Sequence, residues 1–130
     1  MSTANYNALA GTLLTRGRLQ PDGTGINAAQ TLSSDINVSG TDELVVEADM
    51  TGTAIGDLVV TVFPFEADNA TVQATPIPQM ITSPVVLSGG HVYFYGRYDV
   101  SGIERVRISI NNANVGAQTI TRASWRAAGT

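Results

Sequence analysis

The stretch Pro84–Val100, PVVLSGGHVYFYGRYDV, carries the clearest local signal in the chain. Two apolar runs flank Gly89-Gly90, and a two-residue connection of that composition favours a primed turn, since glycine accepts positive φ without a steric cost. In the second run Val92, Phe94, Gly96 and Tyr98 share one side of a strand, and Tyr93, Tyr95 and Arg97 share the other. The spacing predicts a β-hairpin whose aromatic and arginine-bearing face either serves an interface or caps the second side of an inner sheet.

Downstream, Asp99-Val100-Ser101-Gly102 turns the chain into ERVRISINN, where Val106, Ile108 and Ile110 point inward and Arg105, Arg107 and Ser109 outward. If these two strands pair across that turn, Tyr95 faces Arg107 in a cation–π contact and Arg97 faces Arg105. Asn111-Asn112-Ala113-Asn114 with Gly116 forms a loop, and AQTITRASWR closes the fold. Trp125 reads as core or as an interface residue. Upstream, ELVVEADM alternates cleanly: Leu44, Val46, Ala48 and Met50 lie opposite Glu43, Glu47 and Asp49. DLVVTVFPFE is apolar on both sides, which predicts cover on both, with Pro64 at an edge, a bulge or a strand end. ADNATVQATPIPQMITSP is a proline-marked connection with a short strand near Thr71 to Ala74, and TLLTRGRLQ reads as the first strand, ended by Pro21-Asp22-Gly23.

Turn signals recur about every ten residues, the rhythm of a sandwich or barrel. The fold class that follows is all-β. It is a single antiparallel β-sandwich, jelly-roll-like, of about eight strands with an irregular N-terminal arm. Residues 1–30 hold the arm and first strand and residues 31–130 the sandwich body, in one domain of 130 residues.

Composition narrows the function classes. There is no cysteine, which removes disulfide frameworks, thiolate metal sites and thiol catalysis together. Net charge is −4 and the pI near 4.6, against a surface built for phosphates, so no nucleic acid partner is expected. All seven cations are arginine, the planar, forked residue that interfaces favour over lysine. No stretch approaches the ~18 apolar residues of a membrane span, and MSTANYNALAGTLLTRGRL lacks the pattern of a signal peptide. A product of the cytoplasm without a membrane partner is expected.

Reactive groups are sparse. His91 is the single imidazole and sits beside the glycine turn; a catalytic role would require an orienting carboxylate and a nucleophile, which the neighbouring sequence does not supply. Glu47 and Asp49 share a wet strand face rather than flanking a cleft. Glu66, Asp68, Asn69 and Thr71 place oxygens at alternating positions, which leaves a structural calcium ion open, although turn formation explains the same residues. No cofactor is expected, and the chain reads as a binding or structural protein, not an enzyme. Exposed tyrosines and Trp125 would also suit stacking on sugar rings, which makes a carbohydrate-binding module the competing class.

The segments VSGTDELVVEADMTG, GDLVVTVFPFEADNATV and GGHVYFYGRYDVSGIERVRISINNANVGAQTITRASW together resemble small β-sandwich structural proteins of tailed bacteriophages, of the capsid decoration or cement type. The resemblance implies a virion component, assembled in the host cytoplasm, that binds the outside of the major capsid shell and stabilises it. It also implies a homo-oligomer, with a trimer favoured, and partners among the major capsid protein or other virion proteins. A tail-tube, baseplate or fibre-associated protein is the alternative within the same group. The interface expected on this basis combines the arm, with Tyr6, Leu9, Leu13 and Arg16, and the strand residues Tyr93, Tyr95, Arg97, Arg105 and Arg107.

Overall fold

The structure is a computed structural model that describes residues 14–80 and 85–129. Tyr6, Leu9 and Leu13 lie outside the described residues. Among the described residues nine strands follow one another: β1 (Leu14–Gln20), β2 (Thr24–Ile26), β3 (Thr31–Asn37), β4 (Glu43–Thr51), β5 (Leu58–Pro64), β6 (Val86–Ser88), β7 (His91–Asp99), β8 (Arg105–Asn112) and β9 (Gln118–Ala128). Among the described residues the one helical element is a 3₁₀ turn, Ile55–Asp57.

These strands form two antiparallel sheets. The larger runs β1-β9-β4-β7-β6, with β2 also paired to β9, and the smaller runs β3-β8-β5. The pairing is nested: β1 with β9, β3 with β8, β4 with β7. From β2 onward the chain changes sheet at almost every connection, which is the winding of a jelly roll. The all-β sandwich expected from the alternation is what forms.

Alternation decides which side of each strand is dry. Val92, Phe94, Gly96 and Tyr98 of β7 are buried, as are Leu44, Val46, Ala48 and Met50 of β4 and Val106, Ile108 and Ile110 of β8. They meet in one core between the sheets, with Ile26, Ile120, Ala123 and Ala127. Gly96 is small for a reason: a Cβ there would lie 2.8 Å from the Phe94 ring and 3.0 Å from that of Tyr98. Gly89 and Gly90 both take positive φ (60° and 78°) and form the expected two-residue turn between β6 and β7.

Two local expectations are corrected. The Asp99–Gly102 turn does not close a hairpin, because β7 and β8 belong to different sheets. Val100 is fully buried and its N–H donates to the Asp42 carbonyl at 3.0 Å, so the chain is drawn over the rim of the sandwich instead of folding back on β7. Tyr95 therefore faces Glu47, and Arg107 lies between Asp35 and Phe63. Likewise β5 is not covered on both sides. It is the outer strand of the smaller sheet, and Val59 is 45% exposed. Pro64 is its last residue, as a strand end requires. The proline-marked connection runs along the open edge of β5, where the Gln73 and Ile77 N–H groups donate to the Pro64 and Val62 carbonyls at 2.9 and 2.8 Å. That cover protects an edge that would otherwise pair with another chain.

Two polar residues are buried at the end where β8 passes into β9. Asn112, expected in a loop, is the last residue of β8 and is fully buried. Its amide nitrogen donates to the carbonyls of Ile26, Asn27 and Gly116 at 3.1, 3.2 and 3.0 Å, and its oxygen accepts from Asn114 N–H at 2.9 Å. Position 112 continues the inward series 106, 108, 110, which is the signal that places a polar side chain inside. Nearby, Asp57 accepts from the N–H groups of Thr53 and Ala54 at 2.7 and 3.0 Å and from the Asn114 amide at 2.8 Å. The Thr53 N–H and the Asn114 amide do most to hold its carboxyl below the usual range.

Asn112→Ala should cost about 3 kcal/mol, because it leaves several buried polar groups without partners. Asn112→Asp should cost more at neutral pH, since a carboxylate would face three carbonyl oxygens, and stability should return as acid protonates it. Urea unfolding of both variants at two pH values measures this; equal midpoints for Asp and Ala at neutral pH would contradict it.

The Tyr98 side chain is buried and its hydroxyl has no hydrogen-bond partner among the described residues. Burial pushes its pKa up to about 12, against the ordinary 10 that the unfolded chain retains. A raised folded pKa means stability is intact below pH 10 and declines as pH rises from there towards 12. Tyr98→Phe should therefore gain about 1 kcal/mol at pH 7 by removing an unsatisfied hydroxyl. It should also lose the tyrosine-linked part of the alkaline decline, as thermal melts across that range would show.

Candidate functional site

The winding sends outward-facing side chains to two opposite surfaces. The expected interface residues are divided between them: Arg16, Tyr93, Tyr95 and Arg97 are on β1 and β7 of the larger sheet, and Arg105 and Arg107 on β8 of the smaller.

On the smaller sheet, register builds a flat ladder. Thr31 lies opposite Asn111, Ser33 opposite Ser109 and Asp35 opposite Arg107. The Asn111 amide donates to the Thr31 hydroxyl at 2.9 Å, and the two serine hydroxyls share a hydrogen bond of 3.0 Å. Arg107 grips Asp35 with two bonds, Nε to Oδ1 at 2.7 Å and Nη2 to Oδ2 at 3.0 Å. Its neighbour Arg105 donates to the Asn69 carbonyl at 2.7 Å. Both guanidinium groups lie over the Phe65 ring, 4.5 Å from its centroid for Arg105 and 5.5 Å for Arg107. The cation–π contact expected with Tyr95 thus forms with Phe65, a residue the alternation could not assign because it lies beyond Pro64. Stacking and forked bonds hold two arginines flat, with part of each still open to solvent.

On the larger sheet the outward rows run across three strands. Tyr95, Glu47 and Ser124 form one row, and Tyr93, Asp49 and Arg122 the next. These six line an open groove of about 400 Å³, with Val86 at one side. His91 Nδ1 lies 2.8 Å from Asp49 Oδ1, so an orienting carboxylate is present. The hydroxyl across from it is already engaged: Thr51 donates to Gln118 Oε1 at 2.7 Å and accepts from Thr119 N–H at 2.8 Å. Further along, Arg97 is ion-paired to Glu43 and Arg126 lies 3.3 Å from Glu47. Val45 points to this outer side yet is only 5% exposed, in a row with Arg126 and Arg97. Arg16 stands opposite Arg126 on β9. Trp125 faces the other way: its ring packs over Gly17, against the core. Of the groove residues, Glu47 and Asp49 stand out in the sequence as wet strand positions and Arg122 and Ser124 do not, since nothing local says that β9 lies beside β4.

Of the oxygens that left calcium open, those of Asp68 and Thr71 serve a turn. Asp68 accepts from the Ala70 and Thr71 N–H groups, both at 2.9 Å, and from the Thr71 hydroxyl at 2.7 Å. Among the described residues no group of three or more histidine, cysteine, aspartate or glutamate side chains converges as a metal site would require.

The hydrogen bond from Arg107, more than any other contact, holds the Asp35 carboxyl below its ordinary pKa. A lowered folded pKa gives stability that is complete above the unfolded value near 3.9 and is lost as pH falls through the folded one. Asp35→Asn should cost about 1 kcal/mol at pH 7, the scale of a partly exposed pair. It should also flatten the acid side of the stability profile below about pH 4. Urea midpoints from pH 3 to 7 check this, and an unchanged acid slope in the variant would exclude Asp35 as a source.

No protein-family model matches the chain, and no curated protein matches its sequence. Solved structures match its fold. The SPBc2 prophage-derived protein YomS is similar over 91% of this chain and 95% of its own, with a TM-score of 0.52 and 12% identity. VP2 of the infectious bursal disease virus subviral particle is similar over 91% of this chain and 32% of its own, with a TM-score of 0.52 and 9% identity. The CBM22-1–GH10 modules of Clostridium thermocellum xylanase 10B, solved with xylohexaose, reach a TM-score of 0.57 at 12% identity, over 89% of this chain and 24% of theirs. At such identities the likeness establishes the β-sandwich fold, which a prophage-derived protein, a virus-particle protein and a glycan-degrading enzyme share.

Proposed function

We propose that the protein is a non-enzymatic structural protein of a phage particle, a decoration protein that binds the outside of the major capsid shell as a trimer. The observation that carries this reading is the outer face of the smaller sheet. Arg105 and Arg107 are ordered over Phe65 and gripped by Asp35 and the Asn69 carbonyl before any partner arrives. Beside them the exposed Val59 and the ladder of small hydroxyls make a flat surface with little side-chain entropy left to lose. Pre-ordered arginine beside apolar surface is the composition of a protein-interface anchor. The fold supports the same reading by analogy, since YomS is prophage-derived and matches nearly end to end, and VP2 forms a subviral particle. A non-enzymatic role is supported by the use made of the charged groups. Glu43, Glu47, Asp35 and Asp49 each have a cross-strand partner, and the hydroxyl beside His91 is engaged on both sides.

Shells assembled without the protein should take it up on co-sedimentation, and light scattering of the free protein should give a trimer. The Arg105→Ala, Arg107→Ala double variant should bind at least tenfold more weakly, while Tyr93→Ala, on the opposite surface, binds as the parent does. Arg107→Lys keeps the charge but loses the fork, so it separates recognition by shape from simple attraction. Full binding by the double variant would remove this face from the interface. Recovery with purified tails in place of shells would remove the decoration reading.

A further inference from the structure

We propose that the groove on the larger sheet is a binding site for a neutral, β-linked saccharide chain. It lies on the opposite surface from the docking face, so a protein seated on a shell through the smaller sheet would present it to solvent. The site needs no shell, and its test is independent of the virion reading.

Three features of the groove point to this ligand. The first is its platform. Tyr93 and Tyr95 stand on one face of β7, roughly 7 Å apart as alternate residues of a strand are. Tyr93 is 42% exposed, and the His91 ring stacks beside it with centroids 6.0 Å apart. A sugar ring with equatorial hydroxyls offers a face of C–H groups that packs on such rings, while its rim of hydroxyls remains free to bond sideways.

The second is what lies to the side. Each tyrosine has a carboxylate opposite it on β4, Glu47 beside Tyr95 and Asp49 beside Tyr93. On β9 the rows end in a hydroxyl, Ser124, and a guanidinium, Arg122. Adjacent strands are about 4.8 Å apart, so acceptors and donors stand at about one and two strand widths from the rings. Few polar groups at fixed positions around an apolar floor are what orients a small ligand. β4 lies between β7 and β9, bonded on both sides, so the rows are held rigidly.

The third is charge. Glu47 is offset by Arg126 at 3.3 Å, and Asp49 faces Arg122 in register while accepting from His91 Nδ1. The groove is nearly balanced. A polyanion would meet two carboxylates, and a cation would meet Arg122, whereas a polyol can use both donors and acceptors. A straight strip along one strand also suits an extended β-linked chain better than a coiled α-linked one.

Calorimetric titration of the full chain with xylohexaose and cellohexaose tests the proposal, with maltohexaose and heparin fragments as contrasts. At least one β-linked hexasaccharide should bind with a dissociation constant of about 0.1–1 mM, as an open groove allows. Tyr93→Ala and Tyr95→Ala should each weaken it at least tenfold while melting as the parent does, and Tyr93→Phe should retain it. Arg107→Ala, on the other surface, should leave it unchanged. No heat from either β-linked hexasaccharide at about 10 mM would overturn the assignment. So would undiminished binding by both alanine variants, or a preference for heparin.

Discussion

Every described strand except the short, exposed β6 turns one drier side inward, and the core is the single layer where those sides meet. Everything else follows from that constraint. Inward positions are filled by Val, Ile, Leu, Ala, Phe, one Met and one Tyr, with Gly96 left small so that Phe94 and Tyr98 fit. With hydrophobic area buried on one side only, the charged side chains are sent to two surfaces that cannot touch each other. The five arginines on β1, β7 and β9 go to one, and the two on β8 go to the other. Residues that sit close in sequence, such as Arg97 and Arg105, therefore end up on opposite sides of the molecule.

That separation marks the boundary of what could be read from the chain. Period-two patterning is local, so the inward sets of β4, β7 and β8 and the Gly89-Gly90 turn were legible residue by residue. Which strand lies beside which is not local. A four-residue turn is short enough to close a hairpin that would pair Tyr95 with Arg107, and none forms because the apolar Val100 is buried at the rim and carries the chain to the other sheet. The two-sided apolar pattern of β5 misled for a related reason. Its outer residues are partly covered or exposed at an edge, and hydropathy alone does not distinguish an edge from a central strand. Asn112 has the parity of an inward residue, yet asparagine in a run of asparagines reads first as a turn former.

The two outer faces solve the same electrostatic problem differently. On the smaller sheet Asp35 answers both arginines, and Phe65 supplies a surface on which their planes lie. On the larger sheet the like charges Arg16 and Arg126 stand directly opposite each other, which costs stability unless something compensates. Glu47 draws Arg126 towards the groove, and Glu43 holds Arg97 at the far side of Val45. The aliphatic stems beside Val45 account for an outward valine that is nearly buried.

Glu47 is where these demands meet. It neutralises Arg126, lies opposite Tyr95 and forms part of the groove wall, so the charge balance of the face and the chemistry of the groove share one side chain. A wet strand position with a single task would tolerate most polar residues. A position with three is constrained by each, and replacing Glu47 with an uncharged residue would leave two arginines opposite each other while removing an acceptor from the groove. The larger sheet is thus held in order by the same groups that give it something to bind with.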